Sequence, residues 1–134
     1  MEFALTTPCN NCPFRTDVTF PLYPHRVTEI CDALFQHGGT FACHKTTHGT
    51  WGEDEDGETY YRDTGTEQHC AGALIMLEKH GGVSQNQMLR IAMRLRLLFP
   101  ERLDMAAPVF ATPAAMKRRM QRLLRKEQSV CPTL

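Results

Sequence analysis

No stretch of this 134-residue chain reaches eighteen consecutive apolar residues, which argues against a membrane-spanning helix. The opening residues, MEFALTTPCNN, lack the basic patch and apolar run of a secretory signal. A cytoplasmic protein with no membrane partner is expected. Catalytic signatures are missing too. There is no Gly-x-x-x-x-Gly-Lys phosphate loop, no nucleophile elbow, no His-Glu-x-x-His pair and no three-cysteine spacing of radical enzymes. No small-molecule substrate can be identified, and nothing in the sequence speaks positively for an enzyme. Low-complexity tracts and internal repeats are absent. Net charge is also absent, but the zero conceals a split. Residues 1–80 hold five Lys/Arg against twelve Asp/Glu, and residues 81–134 hold ten against three. Such a split points to an acidic or nucleic-acid partner for the basic part, or to mutual attraction between the two parts.

Cysteine is what the chain has in plenty, with six. In a reducing compartment these argue for metal ligands or redox chemistry rather than disulfides. With 42% hydrophobic residues the chain can bury a core without covalent staples. Its length predicts one domain over 1–134, with a cysteine-motif, metal-binding part over 1–82 and a basic helical part over 83–134.

The expected architecture is mostly α, with irregular cysteine-rich loops, one small β-hairpin and a single metal-centred domain. Residues 1–22 read as an irregular knuckle broken by Pro8, Pro13 and Pro21. Pro24 suits the first turn of a helix, where its missing N–H costs nothing. Val27, Ile30, Ala33 and Leu34 continue that helix at the right spacing, and Gly38-Gly39 ends it. Residues 40–44 are a short extended stretch. Within 50–61, Trp51 and Tyr60/Tyr61 flank an acidic, glycine-bounded turn, the pattern of a hairpin. A second helix is predicted over 70–80, with Ala73, Leu74 and Leu77 on one face. Ser84 reads as the cap of a third helix over 85–99, striped by Met88, Ile91, Ala92, Leu95 and Leu98 and stopped by Pro100. Thr112-Pro113 starts a fourth, over 113–127.

Two cysteines can be set aside. Cys31 lies within the first helix beside Ile30 and reads as a small core residue. Cys131 lies near the end of the chain in a tail expected to fray. That leaves Cys9, Cys12, Cys43 and Cys70, spaced C-x2-C-x30-C-x26-C. Each sits in a loop or at a helix edge beside proline, alanine or glycine. Small neighbours leave room for a bulky object, and amides near a helix start can hydrogen-bond anionic sulfur. A thioredoxin-like pair would follow a strand and open a helix, and residues 1–22 show no such pattern.

Thiolate ligands suit both zinc and iron–sulfur clusters. Only one close pair is present, and distant single cysteines are tolerated by a cluster, so a [4Fe–4S] cluster leads. Zinc follows, with His44, His48 and His69 near two of the ligands, and a [2Fe–2S] cluster is the third option. His44 and His69 read as hydrogen-bonding neighbours of the site or as solvent-facing loop residues. If only three cysteines bind, an open position would make catalysis conceivable, with Glu67 or a nearby histidine as acid/base.

The segments PCNNCPFR (8–15), FACH (41–44) and CAGALI (70–75) together resemble a family of small uncharacterised proteins common in bacteriophages, prophages and some bacteria. The shared pattern is Pro-Cys-x-x-Cys-Pro-aromatic-Arg, then Phe-x-Cys-His, then Cys-Ala-Gly. The resemblance implies the four-cysteine assignment and a phage-related origin, hence a host-cell cytoplasm. It also implies that Arg15 and His44 belong to the site region, as groups balancing charge. It implies no activity, and it does not extend to the basic helices.

Outside the motifs, MKRRMQRLLRK (116–126) is a basic amphipathic helix. Met116, Met120, Leu123 and Leu124 form one side, and Lys117, Arg118, Arg119, Arg122, Arg125 and Lys126 the rest. It reads as a surface for DNA, RNA or a host protein, or as a core helix with a solvated basic face. EDEDGE (53–58) reads as a solvated hairpin tip, or as a contact for a basic protein surface.

Overall fold

The computed structural model describes residues 1–47, 49–62 and 64–130. Four helices and one two-stranded antiparallel hairpin make up the regular structure: α1 (Pro24–Phe35), β1 (Thr50–Glu53), β2 (Thr59–Arg62), α2 (Ala71–Lys79), α3 (Gln87–Arg94) and α4 (Pro113–Val130). The chain is thus mostly α with one small hairpin, as its periodicity predicts. No helix among the described residues is long and apolar enough to cross a membrane.

Helix α2 lies at the centre. Every residue from Ala71 to Leu77 is buried, so the helix has no solvent face over its first two turns. The sequence pattern predicts a single apolar face there. Ala71, Gly72, Ile75 and Met76 are covered as well, Gly72 by Cys12 and Phe14. Helices α1 and α4 pack against each other, with Val27, Ile30, Cys31 and Leu34 of α1 buried and Met116 and Met120 of α4 fully covered. Met120 reaches further, since its sulfur accepts the Leu22 N–H at 3.3 Å. Thr112 caps α4 through its hydroxyl, which accepts the Ala115 N–H at 3.1 Å.

Helix α3 departs from expectation in length and in rotation. A short 3-10 turn occupies Val83–Gln85, and Asn86 rather than Ser84 caps the helix. The helix stops at Arg94 because Arg96 takes a left-handed φ of 58° and the Leu97 N–H turns back to the Ala92 carbonyl at 2.9 Å. Asn86 also sets the rotation. Its amide is buried and donates to the carbonyls of Leu34 at 3.0 Å and Gly39 at 2.8 Å, while its oxygen accepts from the Leu89 N–H. Residues three and six further on, Leu89 and Ala92, therefore face inward with Asn86. Met88, Ile91 and Leu95, which the sequence stripe assigns to the core, face solvent instead.

Because Asn86 joins α1, the following loop and α3, Asn86→Ala should cost about 2–4 kcal/mol in urea unfolding, from a lost cap and from the Leu34 and Gly39 carbonyls losing their side-chain donor. Asn86→Asp retains a capping oxygen but not the amide donor. It should not rescue stability; full rescue would reduce Asn86 to a simple cap.

Candidate metal centre

The four cysteines come from three separate segments, and backbone pairing brings them together. Cys9 and Cys12 sit on a tight loop in which the Cys12 N–H donates to the Cys9 carbonyl and the Arg15 N–H to the Cys12 carbonyl, each at 3.2 Å. This loop is held from behind: the Thr16 N–H donates to the Pro108 carbonyl at 2.8 Å and the Phe110 N–H to the Phe14 carbonyl at 3.0 Å. Cys43 and Cys70 are joined more directly. Ala42 bridges His69 in antiparallel fashion, with the Cys43 N–H on the Gln68 carbonyl and the Cys70 N–H on the Phe41 carbonyl, both 2.8 Å. Residue Glu2 adds a parallel bridge to Gln68 on the other side.

His69 ties this junction together. Its ring is fully buried and stacks on Phe3 at 5.8 Å. Nε2 accepts the Phe41 N–H at 3.3 Å, which leaves Nδ1 to carry the proton and donate to the Cys70 carbonyl at 3.1 Å. Burial holds the imidazole neutral, lowering its pKa to about 4 against the pull of the Cys70 carbonyl. Both nitrogens are therefore spent on backbone.

The result is a cavity of about 210 Å³ whose wall includes Cys9, Cys12, Cys43 and Cys70 together. Leu5, Phe41 and Ala71 supply apolar lining, and His44, Lys45 and Thr46 stand on the 43–46 side. Cys12, Cys43 and Cys70 are buried, and Cys9 is half-buried. The sulfurs of Cys12 and Cys70 are 3.5 Å apart. The other two share the wall without closing on this pair. Among the described residues, no three His, Cys, Asp or Glu side chains are grouped tightly enough to hold a metal ion as they stand.

The surroundings nonetheless favour anionic sulfur on one side of the pair. The hydrogen bond from the Cys70 thiol lowers the Cys12 pKa, and the N–H groups of Phe14 and Gly72 and the charge of Arg15 add to this against burial. Cys70 keeps the shared proton: its bond to Cys12, and then burial, push its pKa well up, although the Ala73 and Gly72 N–H groups of the α2 first turn oppose this. Burial raises Cys9, opposed by the Asn11 N–H and by Lys45, while the nearby Cys12 and Cys43 add like charge. The all-thiol donor set is that of soft-metal chemistry, zinc or iron–sulfur. Gly72 makes the approach possible. A Cβ there would lie 2.5 Å from the Cys12 sulfur and 3.0 Å from the Phe14 Cβ.

The other predicted residues divide. His44 lines the cavity. Arg15 lies beside the loop, held by Asp17 at 2.8 and 2.9 Å, and its charge reaches Cys12 and Cys9. Glu67 lies at the base of the hairpin, where its carboxylate accepts from the Thr64 N–H and the Tyr61 hydroxyl. Cys31 is in the α1 core, where burial raises its thiol to about 11. On α4, Arg118, Arg122, Arg125 and Lys126 are exposed, and Lys117 is half-buried. Arg119 is turned inward and donates to the Val18 carbonyl at 3.2 Å. His48 and Cys131 lie outside the described residues. Lys45 is a charged cavity residue that sequence reasoning misses, and its position directly after the FACH motif is the signal it offers.

Gly72→Ala tests the fit. Helix propensity alone favours alanine by about 1 kcal/mol. The close approach of Cys12 predicts the reverse, a loss of about 1–3 kcal/mol in thermal or urea unfolding. In comparisons with known proteins, no family model, no curated protein and no solved structure matches this chain.

Proposed function

We propose that this chain is a small iron–sulfur protein in which Cys9, Cys12, Cys43 and Cys70 hold one [4Fe–4S] cluster in a structural or redox-sensing role. What carries the reading is that these four cysteines, and not Cys31, line one cavity of about 210 Å³. A single ion draws four thiolates in to about 2.3 Å and leaves no space between them. A cluster brings its own iron and sulfide and needs that volume. Apolar lining, amides facing Cys12 and Cys70, and the cations Arg15 and Lys45 suit a buried anionic group. The motif resemblance supports a setting in the cytoplasm of a phage-infected or prophage-bearing cell.

Zinc is the second reading, and one observation favours it. The 3.5 Å between the sulfurs of Cys12 and Cys70 is close to the roughly 3.8 Å edge of a tetrahedron with 2.3 Å metal–sulfur bonds. Purification without oxygen, followed by visible spectroscopy and assay of iron, sulfide and zinc, separates the two. A brown protein with about four irons and matching sulfide supports the cluster. A colourless protein with about one zinc makes the site a zinc staple.

Cys43→Ser should abolish bound metal and lower the melting temperature, because site assembly and folding are coupled. Cys31→Ala should keep its metal. Full metal content in Cys43→Ser would overturn the ligand assignment.

The reading includes a partner surface on α4, for DNA, RNA or a host protein. Arg118, Arg122 and Arg125 are exposed along it, whereas Arg119 serves the fold. If the partner is nucleic acid, affinity should fall steeply with salt. Replacing these three arginines by glutamate should then flatten the log–log salt slope by up to about 0.9 per lost phosphate contact. No binding by the intact protein at low salt would leave a protein partner.

A further inference from the structure

Besides α4, two exposed surfaces lie outside the cysteine site, and their chemistries match. One is the outer face of α3. Met88, Ile91 and Leu95 are 55%, 44% and 64% exposed, at helical spacing on one side. Arg90 and Arg94 are also exposed. With Gln87 and Ile91 they line a shallow depression of about 350 Å³, which thus combines an apolar residue with two guanidinium groups. The other surface is the hairpin. Trp51, the chain's one tryptophan, is 74% exposed there. It stands across the strands from Tyr61, with the two rings 5.6 Å apart. Glu53, two residues along β1, shares its face, and Asp54, Glu55, Asp56 and Glu58 follow on the tip and the far side. Among the described residues none of these five carboxylates is ion-paired.

We propose that the chain self-associates by seating the Trp51 face of one copy's hairpin on the Ile91 face of α3 in a second copy. The indole would sit on Ile91 beside Arg90 and Arg94, a position that gives both apolar burial and cation–π attraction. The carboxylates beside it would meet the arginine-rich rim. Nucleic acid explains this face less well, since phosphate contacts have no use for an exposed Met88–Ile91–Leu95 stripe. Each copy carries both halves of the contact, so a second copy of the chain is the one occupant that supplies both the acids and the aromatic anchor. The inference does not depend on the identity of the metal.

Sedimentation velocity on the intact, anaerobically purified protein tests it. Mass should rise above the monomer value with concentration, and less so at high salt. Trp51→Ser with Glu53→Lys should weaken association at least about tenfold, as should Ile91→Glu with Arg94→Glu. All four positions are exposed, and circular dichroism should be unchanged. The decisive sample is an equimolar mixture of the two double variants. Each is defective alone, yet together they retain one intact hairpin face and one intact α3 face, and they should pair. A wild-type monomer at every concentration would overturn the proposal. So would an oligomer sensitive to the α3 changes alone, or a mixture that fails to pair.

Discussion

The approach of the Cys9–Arg15 loop to the first turn of α2 is the contact on which the rest of the structure depends. It places the Cys12 sulfur where a side chain at position 72 would otherwise stand, and so requires glycine there. It covers the N-terminal end of a helix that is already surrounded elsewhere, which is why α2 is buried on every side. It also gives the first-turn amides of α2 something to face. Those N–H groups have no partners within the helix, and no side-chain oxygen caps them. Sulfur takes that place. The same contact thus resolves a helix terminus and creates a cavity walled by thiols.

Two further supports keep the loop in position. The 108–110 segment binds it from behind, and the junction of residues 2, 42 and 68–69 fixes the opposite wall. His69 belongs to this second support. It contributes rigidity rather than a ligand atom, because both ring nitrogens hold backbone. The molecule therefore has a stiff, largely apolar cradle on one side and an opening beside His44 and Lys45 on the other.

Much of this was legible in the sequence, for local reasons. Pro24, the Gly38-Gly39 pair and Thr112-Pro113 mark helix ends through their own backbone constraints, and α1 and α4 begin where they predict. The choice of four cysteines rests on setting aside Cys31 inside a predicted helix and Cys131 in the tail, and the remaining four line one cavity. What was not legible depends on contacts distant in sequence. The rotation of α3 is set by Asn86 reaching back to Leu34 and Gly39, which no helical periodicity encodes. A stripe of Met88, Ile91 and Leu95 looks like a core face until that anchor turns it outward. Arg119 looks like one more surface cation until its guanidinium is found on the Val18 carbonyl.

The pairing of Arg15 with Val109 has a consequence for how the molecule is made. The backbone that fixes the loop of Cys9 and Cys12, at residues 108–110, is synthesised long after the loop itself. Closing so long a stretch is slow, since its entropic cost comes before any contact repays it. Until that segment emerges, Cys9 and Cys12 travel as unprotected thiols on an unfinished chain. Their fate then rests on the reducing power of the surroundings, and the cysteine-lined cavity is without its rear support until residue 110 has emerged.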